Sequence, residues 1–325
     1  MRTVTTQQPQ RAAGRVVVLG SANVDTTFRV QSLPAPGETV LATAEESGLG
    51  GKGANQAVAA ALLGARVDFI GAVGGGGHGR LVQDELTASG VDTSGVLVIE
   101  SAPTGTAYIT VDRSGENTIV VVPGANALLT PEILARTGVR ERLGGSASGR
   151  SVGLSQGEVP PGTTDAFAAL CHDVGAGFVL NLAPAVPVSA RTLELADPLV
   201  VNEGEAAQLL GISGAGPGEP LAVAARLARD VARSAVVTLG AGGAVASDGR
   251  SAWYAKAPRV VDVVDTTGAG DAFVGALAAV LARGAGLAEA VRVGVEAGSA
   301  AVRHRGTTAA YRAVLPHLTA ARLAP

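Results

Sequence analysis

Short apolar runs alternate with longer segments of helical periodicity along most of the chain. The run Arg15–Leu19 is continuously apolar after its first residue and ends at Gly20, which is typical of a strand buried on both faces. The Ala-rich segment Gly53–Leu63 predicts a helix, and Val67–Val73 predicts a second strand. The same alternation continues through Gly79–Ser89, Val96–Ile99, Ser151–Leu154, Thr164–His172, Phe178–Leu182, Arg191–Leu195, Leu199–Val201, Glu203–Leu210, Pro220–Val231, Ala235–Leu239, Ala269–Arg283 and Leu287–Val302. It indicates an α/β fold, in which helices flank a doubly wound, mostly parallel sheet.

Two segments break this alternation because they are rich in strand formers and contain no helical pattern. The first covers residues 26–48, and the second covers residues 104–122 with a turn from Asp112 to Asn117 that is typical of a hairpin. Strands inserted without helices predict a small separate sheet that acts as a lid. We therefore expect a disordered lead over residues 1–14 and one α/β domain over residues 15–325, with the lid strands inside it.

Composition narrows the class of protein. Of 325 residues, 47% are hydrophobic and 16% are charged, with a net charge of −3 and no block rich in Lys or Arg. This balance argues against binding to nucleic acid or to an acidic membrane surface. Cys171 is the only cysteine, so no intrachain disulfide can form. The first ten residues are polar and no long uncharged apolar run occurs, so we expect neither a signal peptide nor a membrane-spanning helix. We expect a cytoplasmic protein.

The most informative motif is Asp265-Thr266-Thr267-Gly268-Ala269-Gly270-Asp271, directly before an apolar helix. Small residues at a helix start leave backbone N–H groups uncrowded, and the helix dipole assists them in binding an anion. Asp271 adds a carboxylate to this anion cradle. Such a carboxylate is suited to take a proton from a hydroxyl that attacks a phosphoryl group. An ordinary turn followed by an acidic first helical turn explains the motif about equally well on its own.

Two motifs carry groups that suit a polyol. Gly20-Ser21-Ala22-Asn23-Val24-Asp25 follows the first strand, and in extended chain Asn23 and Asp25 face the same side, although an Asx turn is an equal alternative. Gly50-Gly51-Lys52-Gly53-Ala54-Asn55-Gln56-Ala57 opens the first long helix, and Lys52 is one of only two lysines, the other being Lys256. Its glycines permit a close approach of a ligand to the backbone, with Lys52 and Asn55 reaching in.

Further polar groups follow other predicted strands. Asn202 and Glu205 form a capping box by spacing, while the same oxygens are suited to hold water on Mg²⁺. The turn Thr238–Gly243 is glycine-rich, and Glu158 follows the strand Ser151–Leu154. Because ligands bind at the carboxyl ends of parallel strands, we expect these groups to meet at one edge of the sheet.

Three other kinds of site are excluded by spacing. Gly48–Gly53 fits G-x-G-x-x-G by letter but lacks the strand before it and the acidic residue after it that a dinucleotide site requires. A Walker A loop fails because Gly53 follows Lys52. The four histidines and the single cysteine show no zinc-ligand spacing.

Four of these segments, Gly20–Asp25, Gly50–Ala57, Asn202–Glu205 and Asp265–Asp271, resemble the ribokinase-like (phosphofructokinase-B type) sugar kinases over about Val16 to Thr308. The resemblance implies ATP-dependent phosphorylation of the 5-hydroxyl of D-ribose, with Asp271 as the base and Gly268, Ala269 and Gly270 as the anion hole. It also implies a homodimer joined through the β lid. The residues that match sugar-binding positions are Asn23, Asp25, Gly51, Lys52, Asn55, Glu158 and Asp271. Those that match ATP positions are Asn202, Thr238, Gly240, Gly243 and Gly270, and Glu205 matches the acid that organises Mg²⁺.

The resemblance further implies an activating K⁺ beside the anion hole. Its ligands would come from Asp265 and from backbone carbonyls near Thr267, Ala301, His304 and Gly306. The sequence departs from the family pattern at Ala310, where a Ser is usual, so we expect one ligand to be lost or replaced by water. It also departs at Gly74–Gly77, where relatives carry acidic residues, and we expect a looser turn there.

Three functions fit the motifs. The first is an ATP-dependent kinase for ribose, and the second is a kinase of the same fold for 2-deoxyribose, another pentose or a nucleoside. The third is a catalytically silent sugar-binding regulator, against which the complete set of base, anion hole and Mg²⁺ motif argues. Release of ADP with and without D-ribose separates turnover from binding alone.

Overall fold

The computed structural model describes residues 14–144, 150–212 and 218–323. All of the predicted N-terminal lead except Gly14 lies outside this described part. The strands are β1 Arg15–Leu19, β2 Asn23–Arg29, β3 Ala44–Gly50, β4 Arg66–Val73, β5 Val91–Val98, β6 Gly105–Val111, β7 Asn117–Val122, β8 Ser151–Gln156, β9 Gly177–Asn181, β10 Leu199–Asn202, β11 Ala235–Thr238, β12 Gly243–Ser247 and β13 Ala252–Lys256. The helices are α1 Lys52–Leu62, α2 Gly77–Ala88, α3 Pro131–Leu134, α4 Val139–Gly144, α5 Pro161–Asp173, α6 Ala190–Leu195, α7 Glu203–Leu209, α8 Pro220–Asp230, α9 Ala269–Ala282, α10 Leu287–Ala301 and α11 Thr308–Leu323.

Nine of the described strands form one sheet in the order β13-β12-β11-β10-β9-β8-β1-β4-β5. Neighbouring strands from β11 to β5 all pair in parallel. At one edge of the sheet, β12 pairs antiparallel with both β11 and β13. Strand order reverses on either side of β1, so the sheet is doubly wound as predicted. The carboxyl ends of β1 and β8 are therefore neighbours at the point where ligands bind in such sheets.

Helices cover both faces of this sheet, which explains why its strands read as continuous apolar runs. Val16 and Val18 of β1 pack into one apolar cluster with α1, α9 and α10. Val17 and Leu19 point the other way, into a second cluster with α5 and α8. Successive strand side chains alternate between faces, so a strand between two helical layers needs apolar residues at every position.

A second sheet of four strands has the order β3-β2-β6-β7. Strand β2 starts at Asn23, four residues after β1 ends, and pairs antiparallel with β3 and parallel with β6. Strands β6 and β7 form the predicted hairpin around residues 112–117. The register places Asn23 beside Gly50 on one side and Gly105 on the other, so the small sheet leaves the large one at the carboxyl end of β1.

The glycine run between β4 and α2 differs in part from the loose turn that we expect from the sequence. The N–H of Gly74 donates to Thr104 Oγ1 at 2.9 Å, and a Cβ at Gly74 would overlap the backbone of residues 102–104. Only Gly76 and Gly77 face open space. The turn is therefore tightly packed at its first residue, because the chain after β5 lies directly against it.

Across the three described ranges, no helix is both long enough and apolar enough to cross a membrane.

Candidate active site

Asn23 and Asp25 lie on the same face of β2, as the sequence predicts. The Oδ1 atom of Asn23 accepts a hydrogen bond of 2.8 Å from Nδ2 of Asn126. The Oδ1 atom of Asn126 accepts from the Ala22 N–H at 3.0 Å, so both the oxygen and the nitrogen of its amide group are held by hydrogen bonds. Asn126 follows β7 and belongs to no motif in the sequence. Its side chain nevertheless sets how Asn23 presents its amide to a ligand.

The carboxylate of Asp25 lies directly over Gly50, where a Cβ would overlap it. Its Oδ1 atom is buried, and no hydrogen-bond partner for it exists in the described residues. Burial raises the pKa of Asp25 to about 6, and the nearby carboxylates of Glu158 and Asp271 add to this. A buried acceptor without a protein partner is costly, which indicates that a ligand supplies the missing donor.

The start of α1 joins the two sheets. Gly51 precedes the helix with a φ of +84°, a backbone conformation that only glycine adopts readily. The Oε2 atom of Glu158 accepts from the Lys52 N–H at 3.0 Å and from Ser21 Oγ at 2.5 Å, so it ties this helix start to the chain after β1. The Lys52 side chain is close to Asp271, whose negative charge raises the pKa of the ammonium group against the opposing effect of burial.

Asp271 lies in the first turn of α9 with only 7% of its surface exposed. Its Oδ2 atom accepts from Asn55 Nδ2 at 3.1 Å, and its Oδ1 atom accepts from Gln56 Nε2 at 2.9 Å. The carboxylate therefore belongs to the same polar pocket as Lys52 and Asp25. Asn55 also presents a buried Oδ1 atom that no described residue pairs with.

The predicted anion cradle is present at the N-terminus of α9, with one difference. Gly268 has a φ of +76°, and no side chain caps the helix. The Ala269 N–H donates to Thr266 O at 3.2 Å, so the turn itself uses this donor. Within the described residues, the N–H groups of Gly268, Gly270 and Asp271 have no acceptor. These three donors, rather than those of residues 268–270, remain for an anion.

Helix α11 and the residue before it contact the cradle at Gly268. The Tyr311 hydroxyl donates to the Gly268 carbonyl at 2.5 Å, and Tyr311 is fully buried. A Cβ at Gly268 would lie 2.5 Å from that hydroxyl and 2.7 Å from Thr307 Cγ2. Position 268 therefore tolerates no side chain. Ala310 is 1% exposed and packs into the apolar core.

A cavity of about 840 Å³ lies on the other side of Gly270. All five predicted nucleotide-site residues line it, namely Asn202, Thr238, Gly240, Gly243 and Gly270. Its wall also includes residues 256–260 and Val295, Gly298 and Ser299 of α10. A cavity of this size accommodates a nucleotide. Since Gly270 lines the cavity and directly precedes Asp271, the cavity lies next to the cradle.

Asn202 and Glu205 form the predicted capping box at the start of α7. The Asn202 N–H donates to Glu205 Oε2, and the Glu205 N–H donates to Asn202 Oδ1, both at 2.8 Å. Partial burial raises the pKa of Glu205, while its N–H donor and the Lys52 ammonium oppose that rise. The carboxylate thus caps the helix and interacts electrostatically with Lys52.

Asp265 ties two loops together beside the cradle. Its Oδ1 atom accepts from the Thr267 N–H at 2.9 Å and its Oδ2 atom from the Gly306 N–H at 3.0 Å. Among the described residues, no donor reaches the carbonyls of Thr267, His304 or Gly306, whereas the Ala301 carbonyl accepts from the His304 N–H. The hydrogen bonds to Asp265 lower its pKa despite burial.

Three residues of the site are missed by sequence reasoning. Gln56 has a usable signal, because it is a polar residue in the middle of an Ala-rich helical pattern. Asn126 and Tyr311 have none, since each lies in a segment without a motif and bonds a residue that is distant along the chain.

Comparisons with known proteins show what the chain is similar to. The pfkB family carbohydrate kinase model matches residues 13–313. The ribokinase of Haemophilus influenzae is 34% identical over 291 residues, covering 90% of this chain and 93% of that protein. The ribokinase of Bacillus subtilis is 35% identical over 288 residues, covering 88% of this chain and 92% of that protein. In three dimensions, the chain is similar to Arabidopsis thaliana ribokinase complexed with ribose and ATP, with a TM-score of 0.85, 29% identity and coverage of 94% and 99%.

Proposed function

The chain belongs to the pfkB family of carbohydrate kinases, and we propose that it is a ribokinase, which transfers the γ-phosphoryl group of ATP to the 5-hydroxyl of D-ribose. The observation that carries this proposal is the position of Asp271. Its carboxylate lies between a polar pocket and three free N–H groups, next to the glycine that lines the nucleotide cavity. Similarity to ribokinases along nearly the whole chain supports ribose as the sugar.

The roles of the residues follow from their chemistry. Ribose hydroxyls would donate to Asp25 and to the free Oδ1 atom of Asn55, and would accept from Lys52. Asn23, Gly51 and Glu158 complete the sugar pocket, the last by fixing the start of α1. Asp271 takes the proton of the 5-hydroxyl as its oxygen attacks phosphorus. The N–H groups of residues 268, 270 and 271 stabilise charge on the transferring phosphoryl group.

Release of ADP from purified enzyme, measured with and without D-ribose, tests this proposal. We expect turnover to depend on ribose. If another pentose or a nucleoside gave a higher kcat/KM, the chain would be a kinase of the same family with a different substrate. Binding of ribose without any release of ADP would instead support the sugar-binding regulator.

The acidic groups fit Mg²⁺ held mainly through water. In the described parts of the chain, no three His, Cys, Asp or Glu side chains cluster as a metal site. Mg²⁺ typically binds one or two carboxylates together with substrate phosphates and keeps several waters. Glu205, whose carboxylate interacts electrostatically with Lys52, would supply such a carboxylate. When bound with ATP, Mg²⁺ would neutralise part of the phosphate charge.

Glu205→Gln should raise the Mg²⁺ concentration for half-maximal rate by about three- to tenfold, because an amide orients metal-bound water less well than a carboxylate. The measurement is the initial rate as a function of free Mg²⁺ at fixed ATP. Glu219→Gln removes a capping carboxylate from α8, outside the cavity, and serves as the matched control. An unchanged Mg²⁺ dependence with a lower Tm would leave capping as the only role of Glu205.

The loops joined by Asp265 fit a monovalent cation. They offer one carboxylate and the free carbonyls of Thr267, His304 and Gly306, while Ala301 offers a carbonyl that already accepts one hydrogen bond. Oxygen ligands of this kind suit K⁺, although Ala310 contributes none. A bound cation would supply charge that favours the anion-binding shape of the adjacent cradle.

Exchange of K⁺ for a bulky organic cation at constant ionic strength should slow turnover several-fold, because the cradle loop would lose that charge. We expect half-saturation at a higher K⁺ concentration than in relatives with Ser at the position of Ala310. Rates of ADP release in the two salts measure the effect. Equal rates would contradict the cation site.

Asp25→Asn should raise the KM for ribose about tenfold at pH 8, since a hydrogen bond to a charged group is lost. In the wild type, the KM should rise as pH falls through about 6, where Asp25 becomes protonated, and this dependence should vanish in the variant.

A raised pKa in the folded state means that ionised Asp25 destabilises the free enzyme above pH 6. The variant should therefore have the higher Tm at pH 8, with a smaller difference at pH 5. A lower Tm at pH 8 would contradict this.

The proposed homodimer would form through the small sheet. Strand β7 exposes every one of its residues, including Ile119, Val120, Val121 and Val122 at 41–63%. An apolar edge strand exposed in this way is an unusual surface for a monomer and is suited to pairing with a second copy.

A further inference from the structure

Three buried amide side chains lie behind Asp271, on the side away from the sugar pocket. Gln56 of α1 is fully buried, Gln156 at the end of β8 is 1% exposed, and Asn181 at the end of β9 is 7% exposed. None of them belongs to the sugar or nucleotide positions described above. Together they connect the carboxylate of Asp271 to the ends of two strands of the large sheet.

The hydrogen bonds of this amide chain run in one direction. Gln156 Nε2 donates to Gln56 Oε1 at 2.9 Å, so the oxygen end of Gln56 faces Gln156. Gln56 Nε2 then donates to Asp271 Oδ1 and to Asn181 Oδ1, each at 2.9 Å, which uses both of its hydrogens. Asn181 Nδ2 donates to Val200 O at 3.1 Å and thereby anchors the chain on β10.

This pattern fixes the orientation of the Gln56 amide. If the amide were flipped, its oxygen would face two acceptors, Asp271 and Asn181, and its NH₂ group would face the NH₂ of Gln156. Each of these contacts is unfavourable in a buried site, where an unmatched polar group costs the most. The strand ends therefore determine which atom of Gln56 meets the carboxylate.

We propose that Gln56, held by Gln156 and Asn181, is a positioning residue for the base. It fixes the rotation of the Asp271 carboxylate, so that Oδ1 is held by the amide chain and Oδ2, beside Asn55, receives the proton from the sugar hydroxyl. This inference rests on the proposed function, in which Asp271 is that base. A hydrogen bond donated to a carboxylate stabilises its charged form, and a fixed rotation keeps the accepting oxygen on the attacking hydroxyl.

Other titratable groups surround Asp271 and must be separated from this effect. Lys52 of α1, Asp25 of β2 and Tyr311 of α11 all interact electrostatically with it, and Glu158 acts on Asp25 and Lys52. Asp25 titrates near pH 6 in the free enzyme and affects ribose binding. The pH dependence of kcat at saturating ribose and ATP excludes that contribution, because kcat reports groups in the bound complex.

Gln56→Glu tests the proposal with an almost isosteric change. It places a carboxyl group 2.9 Å from Asp271 Oδ1, and two carboxylates so close share a proton, which raises the pKa of the pair. We expect the acid limb of the kcat profile to move up by about one to two pH units. Gln83→Glu, on α2 outside the site, is the matched control and should leave the limb unchanged.

Gln156→Leu tests the chain without touching Asp271. Leu has about the size of Gln but cannot donate, so Gln56 Oε1 loses the hydrogen bond that holds its amide, and the donor to Asp271 is no longer fixed. We expect kcat to fall about tenfold with an unchanged KM for ribose, whereas a purely structural role would lower only the Tm. This variant decides the matter if Glu at position 56 prevents folding.

The outcomes separate the inference from the proposed function. A folded Gln56→Glu enzyme with the wild-type acid limb, or a Gln156→Leu enzyme with the wild-type kcat, would overturn the positioning role even if Asp271→Asn is inactive. An active Asp271→Asn enzyme would overturn the assignment of Asp271 as the base itself.

Discussion

Asp271→Asn should lower kcat for ribose phosphorylation by about 10²–10⁴-fold, the usual contribution of a positioned general base. The amide has nearly the shape of the carboxylate but cannot take a proton at neutral pH. The carboxylate lies 3.1 Å from Asn55 and 2.9 Å from Gln56, so an amide there must place its own NH₂ group against one of these donors. We therefore expect a moderately lower Tm in an enzyme that still folds, together with a large loss of rate.

The measurement is the steady-state rate of ADP release by purified enzyme at saturating ribose and ATP, together with the Tm from thermal unfolding. Asp262→Asn is a matched control, since Asp262 is exposed in the segment that leads to α9 and also loses one charge. Turnover within about threefold of wild type in Asp271→Asn would show that another group removes the proton.

Much of the fold is predictable because its strands and helices are encoded locally. A strand between two helical layers must be apolar at every position, and a covering helix must repeat its apolar residues with helical spacing. The pattern is weaker at the sheet edge, where β13 alternates between exposed and half-buried residues. For this reason β13 is absent from the sequence prediction. Strand β12 is buried throughout, but it is short, consists of small residues and starts at Gly243 within a predicted turn, so it is absent as well.

The candidate site is predictable only where its residues are neighbours along the chain. Asn23 with Asp25, Lys52 with Asn55, and Gly268 with Asp271 each lie within one short motif. The contacts that complete the site join residues far apart in sequence. Gln56 meets Asn181 across 125 positions, and Asn23 meets Asn126 across 103. No local pattern encodes such pairs, because the two partners come together only once the sheet has formed.

Glu205 shows a different limit of the sequence. Its spacing from Asn202 predicts both a capping box and a group that orients water on Mg²⁺, and the structure contains the capping box. One carboxylate has two oxygens, and the cap uses only Oε2. Capping therefore leaves an oxygen for the second role, which requires a functional measurement to establish.

Substrate choice follows from acceptors that the protein leaves unpaired. The Oδ1 atoms of Asp25 and Asn55 are both buried, and neither has a hydrogen-bond partner in the described residues. A sugar hydroxyl that donates to such an atom removes the cost of burying it. A substrate that lacks the hydroxyl leaves the atom unpaired, and a site built in this way discriminates strongly against it.

D-Ribose should therefore exceed 2-deoxyribose in kcat/KM by about 10- to 150-fold, the equivalent of one hydrogen bond to a charged group of about 1.5–3 kcal/mol. Adenosine should be poorer still, because its base requires an apolar slot beside a pocket formed by Asn23, Asp25, Lys52 and Asn55. Aromatic residues make up only 3% of the chain, so few rings are available to stack on a base.

Parallel measurements of kcat/KM for ribose, 2-deoxyribose and adenosine, in wild type and in Asp25→Asn, check this prediction. The variant should reduce the preference for ribose over 2-deoxyribose. If 2-deoxyribose or adenosine matched ribose in the wild type, the unpaired acceptors would not set the specificity, and ribose would not be the substrate for which the site is built.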